Sequence, residues 1–414
     1  MHQAAFRTSI GAWQRRPWCG VAIGIAMLCG CDGGSSPSAD VATPPVFLRD
    51  AVAVQYESRQ GAFAVRELVT GLEHPWGLAF LPDGGMLVTE RPGRLRRIAS
   101  GGQVSAPLAG VPDVFAVGQS GLLDVAISPR FAADGWVYLS YAEPNWRGNK
   151  AGTAVARGRL TDAGLADVEV IVHQEPKLSN GTHVGSRLLF DDSGHLFVTA
   201  GDNRVDATAQ QLDHLQGKVM RLEPDGAVPD DNPFLDRSGA RGEIFSLGHR
   251  NPQGMALHPR SRAVWTHEHG PKGGDEINVL MAGANYGWPL VTHGLDYSGS
   301  PVEGSQGESA PGMSEPIHYW PVSPAISGMA FYSGQAFPQW QDNLFIGALA
   351  TRELIRLELD GERVVGEERL LGERGQRIRD VRVGPDGFIY LLTDEPAGSL
   401  LRIEPVAQDA AIDP

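Results

Sequence analysis

The sequence predicts an all-β protein, a six-bladed β-propeller of four-stranded antiparallel blades. Three observations lead to this prediction. One two-strand pattern occurs six times, its spacing averages roughly 60 residues, and 52 glycines and 29 prolines among 414 residues favour many turns between short strands. A β-sandwich is the alternative all-β fold, but a sandwich would not repeat one turn pattern in register.

Each repeat consists of a short apolar run, a turn rich in Pro, Asp or Gly, and a second apolar run typical of a β-strand. The run at residues 77–80, for example, is followed by the turn at 81–85 and by the run at 86–89. The six repeats span residues 77–89, 122–139, 187–199, 254–266, 328–346 and 379–392. Four-stranded blades arranged around a central channel protect their sheet edges by radial repetition.

The longest gap between repeats separates the fourth repeat from the fifth. Residues 283–320 within it are rich in Gly, Tyr and Trp. Long loops of this kind in compact domains are commonly functional. We therefore expect an inserted functional loop here.

The first 31 residues are typical of an export signal. Three arginines precede the apolar run at residues 21–28, which is too short to span a bilayer as a mature helix. The run at residues 28–31 resembles a bacterial lipobox, in which Cys31 is acylated and becomes the mature N-terminus; ordinary cleavage nearby is the alternative. We expect export to the periplasm or cell envelope, with membrane contact only through an N-terminal lipid anchor.

The rest of the chain divides into three expected parts. Residues 32–58 begin with small, polar and Pro-bearing sequence and predict a flexible tether. Residues 59–407 hold the propeller, and residues 408–414 form a C-terminal tail. The sequence leaves open whether the protein is a monomer or a dimer.

Composition excludes several classes of function. With 35 Lys and Arg against 49 Asp and Glu, the formal net charge is −14, which argues against a nucleic-acid partner. All three cysteines lie within the first 31 residues. The folded body therefore has no disulfide, no thiolate metal site and no cysteine nucleophile.

Polar residues gather at the point where each repeat begins. The first strand of each blade in a propeller lines the channel, so the residues just before these strands share one face. The residues at this point are His74, Trp76, Gln119, His183, Arg250, Asn251, Ser323, Ser327, Arg377 and Arg379. A possible base, amides and several cations that converge in this way are typical of a small-molecule site. Taken singly, each also fits a structural role, such as an ion pair between blades.

A glycine-rich bend carries the acidic pair Asp275 and Glu276. Exposed carbonyls beside a carboxylate suit calcium, a hard cation that takes several oxygen ligands. A solvated turn is the alternative interpretation, and the sequence has no EF-hand pattern.

These motifs resemble one enzyme family over about residues 60–405: the soluble aldose sugar dehydrogenases, which use pyrroloquinoline quinone and are related to soluble quinoprotein glucose dehydrogenase. The resemblance implies a six-bladed propeller. The matching runs are 118–124, 215–222, 229–234, 248–254, 268–278, 285–289 and 375–380, together with His183 and Arg187. Each run is unspecific alone, and their combination is specific.

The resemblance implies roles for individual residues. His183 matches the catalytic base, and Asp202 matches the acid that steadies it. Positions that contact the quinone, or the substrate beside it, are matched by Gln119, Arg250, Asn251, Tyr297, Ala348, Leu349, Arg377 and Arg379. Calcium positions are matched by the carbonyls of Gly270 and Pro271 and, in the aldose branch, by Glu276 and the carbonyl of Tyr286.

Two positions depart from the family pattern. Ala350 stands where the family often has a lysine that reaches a carboxylate of the cofactor. Arg352 is a candidate replacement, although residues i and i+2 of a strand share a face at a separation of about 6–7 Å. Thr182 stands where the glucose enzymes carry an aspartate.

The expected reaction is the oxidation of an aldose to its lactone, with an external electron acceptor. A ring of arginines suits a cofactor with three carboxylates, and a histidine is suited to take the hydroxyl proton near neutral pH. Two other functions stay open: a calcium-dependent, lactonase-like hydrolase, and a propeller that has lost the cofactor and binds a partner or glycan.

Overall fold

A computed structural model describes residues 44–406, and its regular secondary structure is almost entirely β-strand. The expected export signal, Cys31 and the tail at 408–414 lie outside the described residues. No helix in this range is long and apolar enough to cross a bilayer.

The strands assemble into six sheets around one axis, as the sequence predicts. Three strands precede the first repeat: β1 Val46–Phe47, β2 Val54–Ser58 and β3 Gly61–Leu72. The first blade contains β4 Pro75–Phe80, β5 Met86–Glu90 and β6 Arg94–Ile98. The second contains β7 Leu122–Ile127, β8 Trp136–Pro144, β9 Ala151–Leu160 and β10 Leu165–His173. The third contains β11 Leu188–Phe190, β12 Leu196–Ala200, β13 Lys218–Leu222 and β14 Ile244–Leu247.

The remaining blades follow the same order from the axis outward. The fourth contains β15 Pro252–Leu257, β16 Val264–Glu268, β17 Asp275–Val279 and β18 His318–Trp320. The fifth contains β19 Ile326–Phe331, β20 Leu344–Ala348, β21 Leu354–Asp360 and β22 Arg363–Leu370. The sixth contains β23 Ile378–Val383, β24 Ile389–Thr393 and β25 Gly398–Pro405. The described helices are short: α1 Phe131–Asp134 and 3-10 turns at Asp206–Gln210, Pro338–Trp340 and Gly372–Arg374.

The sixth blade closes the ring by taking its outer strand from the N-terminal end of the chain. β3 pairs antiparallel with β25, so the sheet order is β1-β3-β25-β24-β23, with β2 also paired to β3. Part of the segment expected as a tether is therefore ordered. Tyr56 of β2 stacks on Phe63 with ring centroids 5.8 Å apart, and the Ser58 hydroxyl donates to the Gly61 carbonyl at 2.7 Å.

The first blade has three regular strands instead of the expected four. Its outer position is taken by an irregular stretch: Ser105 N donates to Arg97 O, and Leu108 N donates to Leu95 O, both at 2.8 Å. The predicted inserted loop lies between the fourth and fifth repeats, as expected. It connects β17 to β18 and so lies inside the fourth blade, because the repeat pattern in the sequence marks only the first two strands of each blade.

Apolar side chains fill the wedges between neighbouring blades. Tyr138 and Val155 of the second blade, for example, pack with Val198 and Met220 of the third, and all four are fully buried. Burial of this kind is the dominant favourable term in folding. It fixes the inner strands around the axis, and so it fixes the residues that precede them.

Candidate active site

A cavity of about 710 Å³ opens at the end of the axis where the inner strands begin. Its wall contains most of the residues that the sequence singled out as cofactor, catalytic or calcium positions: Gln119, His183, Arg250, Asn251, Gly270, Pro271, Tyr297, Leu349, Arg377 and Arg379. They come from five different blades and from the long loop. Six of them lie before or at the start of an inner strand, a point that each blade presents on the same face of the propeller. Gly270, Pro271 and Leu349 follow the second strand of a blade, and Tyr297 belongs to the long loop.

His183 is held in an unusual backbone conformation. Its φ is +49°, a region that non-glycine residues seldom adopt. The strain is supported by neighbours: Gln119 Oε1 accepts from His183 N at 3.1 Å, and Asn203 Nδ2 donates to His183 O at 2.8 Å. A Cβ at Gly201 would lie 2.1 Å from the His183 carbonyl oxygen. Only glycine therefore fits at position 201.

Asp202 orients the imidazole of His183 from behind the cavity wall. Its Oδ1 lies 2.7 Å from His183 Nδ1, and its Oδ2 accepts from Trp288 Nε1 at 2.8 Å. Although burial acts in the other direction, the hydrogen bond and charge of His183 and the charge of Arg250 hold the pKa of this carboxyl below its usual value. A carboxylate at Nδ1 fixes that nitrogen as the proton donor.

The second nitrogen of His183, Nε2, therefore carries the lone pair. Burial lowers the pKa of His183; Asp202 partly offsets this, while Arg250 and Arg204 add to it. The ring is neutral at neutral pH. A neutral imidazole held by a carboxylate can accept a proton from a ligand hydroxyl.

Arg377 and Arg379 are aligned by a carboxylate that the sequence analysis did not single out. Asp394 Oδ2 accepts from Arg377 Nη2 at 3.0 Å and from Arg379 Nη2 at 3.1 Å, and its Oδ1 lies 3.0 Å from His74 Nδ1. Although burial acts in the opposite direction, the two arginines and His74 hold the pKa of Asp394 far below its usual value.

A pattern in the sequence could have found Asp394. Acids lie within two residues of the end of the second strand in five of the six blades: Glu90, Glu143, Asp202, Glu268 and Asp394. Each pairs with at least one Arg, Lys or His side chain.

Arg250 and Asn251 bind the surrounding backbone. Arg250 Nη1 donates to Gly270 O at 2.7 Å and to His269 O at 3.2 Å, and its guanidinium lies over the Trp288 ring at 5.1 Å. Its Nε is buried and has no hydrogen-bond partner among the described residues. Asn251 Oδ1 accepts from Gly185 N at 3.1 Å.

Glu276 and Tyr286 lie outside the main cavity, in a small adjoining pocket that Glu268 and Gly270 also line. Burial and the charge of Glu268 raise the pKa of Glu276 to about 8, and Asn278 Nδ2 donates to the carboxylate at 2.9 Å. Two buried carboxylates this close fit a nearby cation. No three acid, His or Cys side chains converge as a metal site within residues 44–406, so carbonyl oxygens such as those of Gly270 and Pro271 would have to complete the ligand set.

The fifth blade contradicts one expectation about the missing lysine. β20 ends at Ala348, so residues 349–352 form a turn and the strand argument for Arg352 does not apply. Arg352 Nη1 donates to Gly375 O at 2.9 Å, and Arg352 is not part of the cavity wall. Arg352 is therefore not in a position to replace the lysine. Ala350 and Leu349 do line the cavity, whereas Ala348 is fully buried behind it.

The cavity wall is strongly cationic. Its charged side chains are Arg91, Arg250, Lys272, Arg377, Arg379 and Asp394. Five cations against one carboxylate in a chain of net charge −14 favour an anionic ligand. The sequence analysis did not single out Arg91 and Lys272.

Comparison with known proteins places these features in a family. A sequence profile described as glucose/sorbosone dehydrogenase matches residues 72–402. The chain is 54% identical to the aldose sugar dehydrogenase YliI of Escherichia coli strain K12, over 82% of this chain and 92% of that protein.

Solved structures agree in fold. The apo-form of the soluble aldose sugar dehydrogenase from Escherichia coli superposes with a TM-score of 0.81, at 53% identity, over 83% of this chain and all of that chain. The PQQ-bound form of an aldose sugar dehydrogenase from Streptomyces coelicolor superposes with a TM-score of 0.66, at 26% identity, over 83% of this chain and 98% of that chain. With the propeller, the cationic cavity and the profile match over most of its length, the chain belongs to the glucose/sorbosone dehydrogenase family.

Proposed function

We propose that the protein is a quinoprotein aldose dehydrogenase that oxidises a sugar at the anomeric carbon to the lactone, with pyrroloquinoline quinone and Ca²⁺. The observation that carries the proposal is the meeting of a neutral His183 and five cations in one cavity. The names of the relatives support it, and the PQQ-bound form of a distant relative supports the choice of cofactor.

The residues of the chain supply the acid–base and binding parts of this reaction. His183 Nε2 would take the proton of the anomeric hydroxyl, while Asp202 stabilises the imidazolium that forms. Arg377, Arg379 and Arg250 would hold the carboxylates of the quinone. When bound, the quinone supplies the hydride acceptor and Ca²⁺ supplies Lewis-acid polarisation.

The cavity also fits this cofactor in the chemistry of its arginines. Arg250, Arg377 and Arg379 all line the cavity, and their planar guanidinium groups suit the binding of carboxylates. We propose Ca²⁺ at the carbonyls of Gly270 and Pro271 and at Glu276 with the Tyr286 carbonyl.

The test is reconstitution. Purified protein is mixed with pyrroloquinoline quinone and Ca²⁺, and the absorbance spectrum is followed before and after addition of several aldoses, together with reduction of a dye as external electron acceptor. We expect a bound-quinone spectrum that changes on addition of sugar, and dye reduction that stops in a His183→Ala variant. Absence of quinone binding and of dye reduction would remove the proposal.

A hydrolase is less well supported by this cavity. A calcium-dependent lactonase would need several carboxylates around a metal, whereas Asp394 is the one carboxylate among the described wall residues. Ser246, His249 and Glu268 do form a chain of hydrogen bonds of 2.8 and 2.7 Å that resembles a catalytic triad. All three are buried, so Ser246 is sealed from substrate. Lactone hydrolysis without quinone would revive this alternative.

Ala350 is the remaining support for a binding protein without cofactor. Calorimetry with the quinone distinguishes the two hypotheses, because the proposed enzyme should bind the quinone and a binding protein without cofactor should not. We also propose export to the periplasm or cell envelope with a lipid anchor at Cys31, on the support of the N-terminal sequence. Mass spectrometry of the mature protein tests the lipid anchor, because acylation of Cys31 would increase its mass.

A further inference from the structure

A second imidazole lies in the wall of the cavity. Strand β16 ends at Glu268, and the next residue, His269, lines the cavity together with His183. The hydrogen bonds of its backbone hold it in place: His269 N donates to Asn251 O at 3.3 Å, and its carbonyl accepts from Arg250 Nη1 at 3.2 Å. The roles proposed above for the cavity residues make no use of this ring.

The partner of His269 Nε2 fixes which ring nitrogen carries the proton. Nε2 lies 3.3 Å from Gln253 Oε1, and the same oxygen accepts from Arg379 Nη1 at 3.0 Å. Because the arginine can only donate, this atom of Gln253 is the amide oxygen. A neutral His269 must therefore donate from Nε2 and carry its lone pair on Nδ1.

The surroundings keep this ring neutral. Arg250 bonds the His269 carbonyl and Arg379 bonds Gln253, the partner of the ring, whereas none of the described carboxylates forms an ion pair with His269. A proton on Nδ1 would be repelled by these two cations and stabilised by no anion. None of the described residues 44–406 donates a hydrogen bond to Nδ1, and this nitrogen is not among the buried polar atoms sealed from solvent. Nδ1 of His269 is therefore an accessible hydrogen-bond acceptor, whereas most of the charged side chains in the cavity wall are hydrogen-bond donors.

We propose that Nδ1 of His269 accepts a hydrogen bond from an N–H or O–H group of the bound molecule and so selects its orientation in the cavity. This inference rests on the proposed function. Two sources can supply the donor: the ring N–H of the quinone, or a hydroxyl of the sugar. In either case the acceptor adds a directional contact that the charge–charge contacts with the arginines do not provide.

The experiment compares two variants of one position. His269→Phe keeps a planar ring and removes the acceptor, whereas His269→Gln retains an amide oxygen as acceptor. Quinone affinity is measured by calorimetry without sugar, and KM for glucose is measured at saturating quinone. Thermal unfolding of each variant confirms that it is folded.

We expect the Phe variant to lose about tenfold in one of the two measurements, which is the scale of one hydrogen bond of about 1.4 kcal/mol, and the Gln variant to recover most of it. A loss in quinone affinity identifies the cofactor as the donor, and a rise in KM alone identifies the sugar. The proposal is overturned if Phe matches the wild type in both measurements, or if Gln is as impaired as Phe.

Failure of the proposed function has a different signature. In that case the wild type itself takes up no quinone. Direct sugar binding, followed by the ¹⁵N shift of His269 Nδ1 in wild type and Gln variant, then decides the role of His269. An Nδ1 that does not shift with sugar overturns the inference.

Discussion

Two charged regions lie along the same axis of the propeller, and they differ in balance. At the centre of the channel, Arg187 bonds Asp124 at 3.1 Å and Asp380 at 2.9 Å, and Arg382 bonds the same two carboxylates at 2.8 and 2.9 Å. The two positive and two negative side chains balance, so this central group carries no net charge. In the cavity, five cations face one carboxylate.

The central group, which we call the axial plug (Asp124, Arg187, Asp380 and Arg382), also ties the blades together. Asp380 accepts from Leu78 N of the first blade at 3.1 Å, and Asp124 accepts from Leu188 N of the third at 2.9 Å. A Cβ at Gly328 of the fifth blade would lie 2.3 Å from Asp380 Oδ1. The plug is therefore scaffold: balanced charges that also satisfy backbone donors need no ligand.

The comparison teaches that charge alone does not mark a site. Arg187 and Arg379 lie over the same Trp76 ring, at 4.4 and 5.5 Å, and both are buried or nearly so. What separates the regions is the excess of one sign beside an open cavity. A buried excess of charge is costly, and a ligand of opposite charge relieves it.

The largest effect on activity should come from replacing His183, the candidate proton acceptor in the cavity. We expect His183→Ala to lower kcat by about 10²–10⁴-fold, the usual contribution of a positioned general base, with quinone affinity unchanged. Dye reduction measures the first quantity and calorimetry the second. Full turnover in this variant would refute the acid–base role while leaving the cavity assignment standing.

A substitution in the axial plug should lower the free energy of unfolding instead of the reaction rate. Asp380→Asn leaves Arg187 and Arg382 with one carboxylate between them, and breaking a buried pair costs about 3–5 kcal/mol. Urea unfolding measures the loss. Asp360→Asn is the matched control, because its pair with Arg363 is about 70% exposed on both sides and should change stability little. Equal effects of the two variants would contradict the comparison.

Arg377 and Arg379 should contribute unequally to quinone affinity. The Arg379 side chain is 9% exposed and that of Arg377 is 36% exposed, although both bond Asp394. We expect Arg379→Gln to weaken quinone binding about tenfold more than Arg377→Gln, since a desolvated charge contributes more than one at a rim. Calorimetry at low and high salt tests this, and the Arg377 contribution should be the more sensitive to salt.

The smallest expected effect is a shift in the pH profile. His183 must be neutral to act as a base, so kcat/KM should fall as pH drops through its pKa, which burial places below 6.5. Because Asp202 raises that pKa, Asp202→Asn should move the acidic limb to lower pH as well as lower the rate. If the acidic limb of the kcat/KM profile moves to higher pH, or does not move, a group other than His183 controls it.

Much of the fold could be read from the sequence because each blade repeats a local pattern. All twelve predicted runs coincide with the first two strands of the six blades. The outer strands were not predicted, since they share no common pattern, and neither was the closure by β3. That pairing joins Phe63 to Pro405, a contact between distant parts of the chain.

The site was predicted in part for the same reason. Residues before the inner strands, such as His183 and Arg250, share a place in the repeat, and the propeller brings them together. Asp394 and Lys272 reach the cavity from points after the second strands of their blades, so the residues before the inner strands did not include them.

The sequence by itself determined the number of blades and the face on which the polar residues gather, because these follow from local periodicity, and its resemblance to a known family implied which histidine is the candidate base. Only the tertiary structure decided which charges are cancelled and which are not. Arg187 and Arg379 are the same kind of residue at neighbouring points of two repeats, yet the first lies between two carboxylates and the second lines the cavity. Charge balance depends on distances between separate blades, and a one-dimensional pattern does not contain those distances.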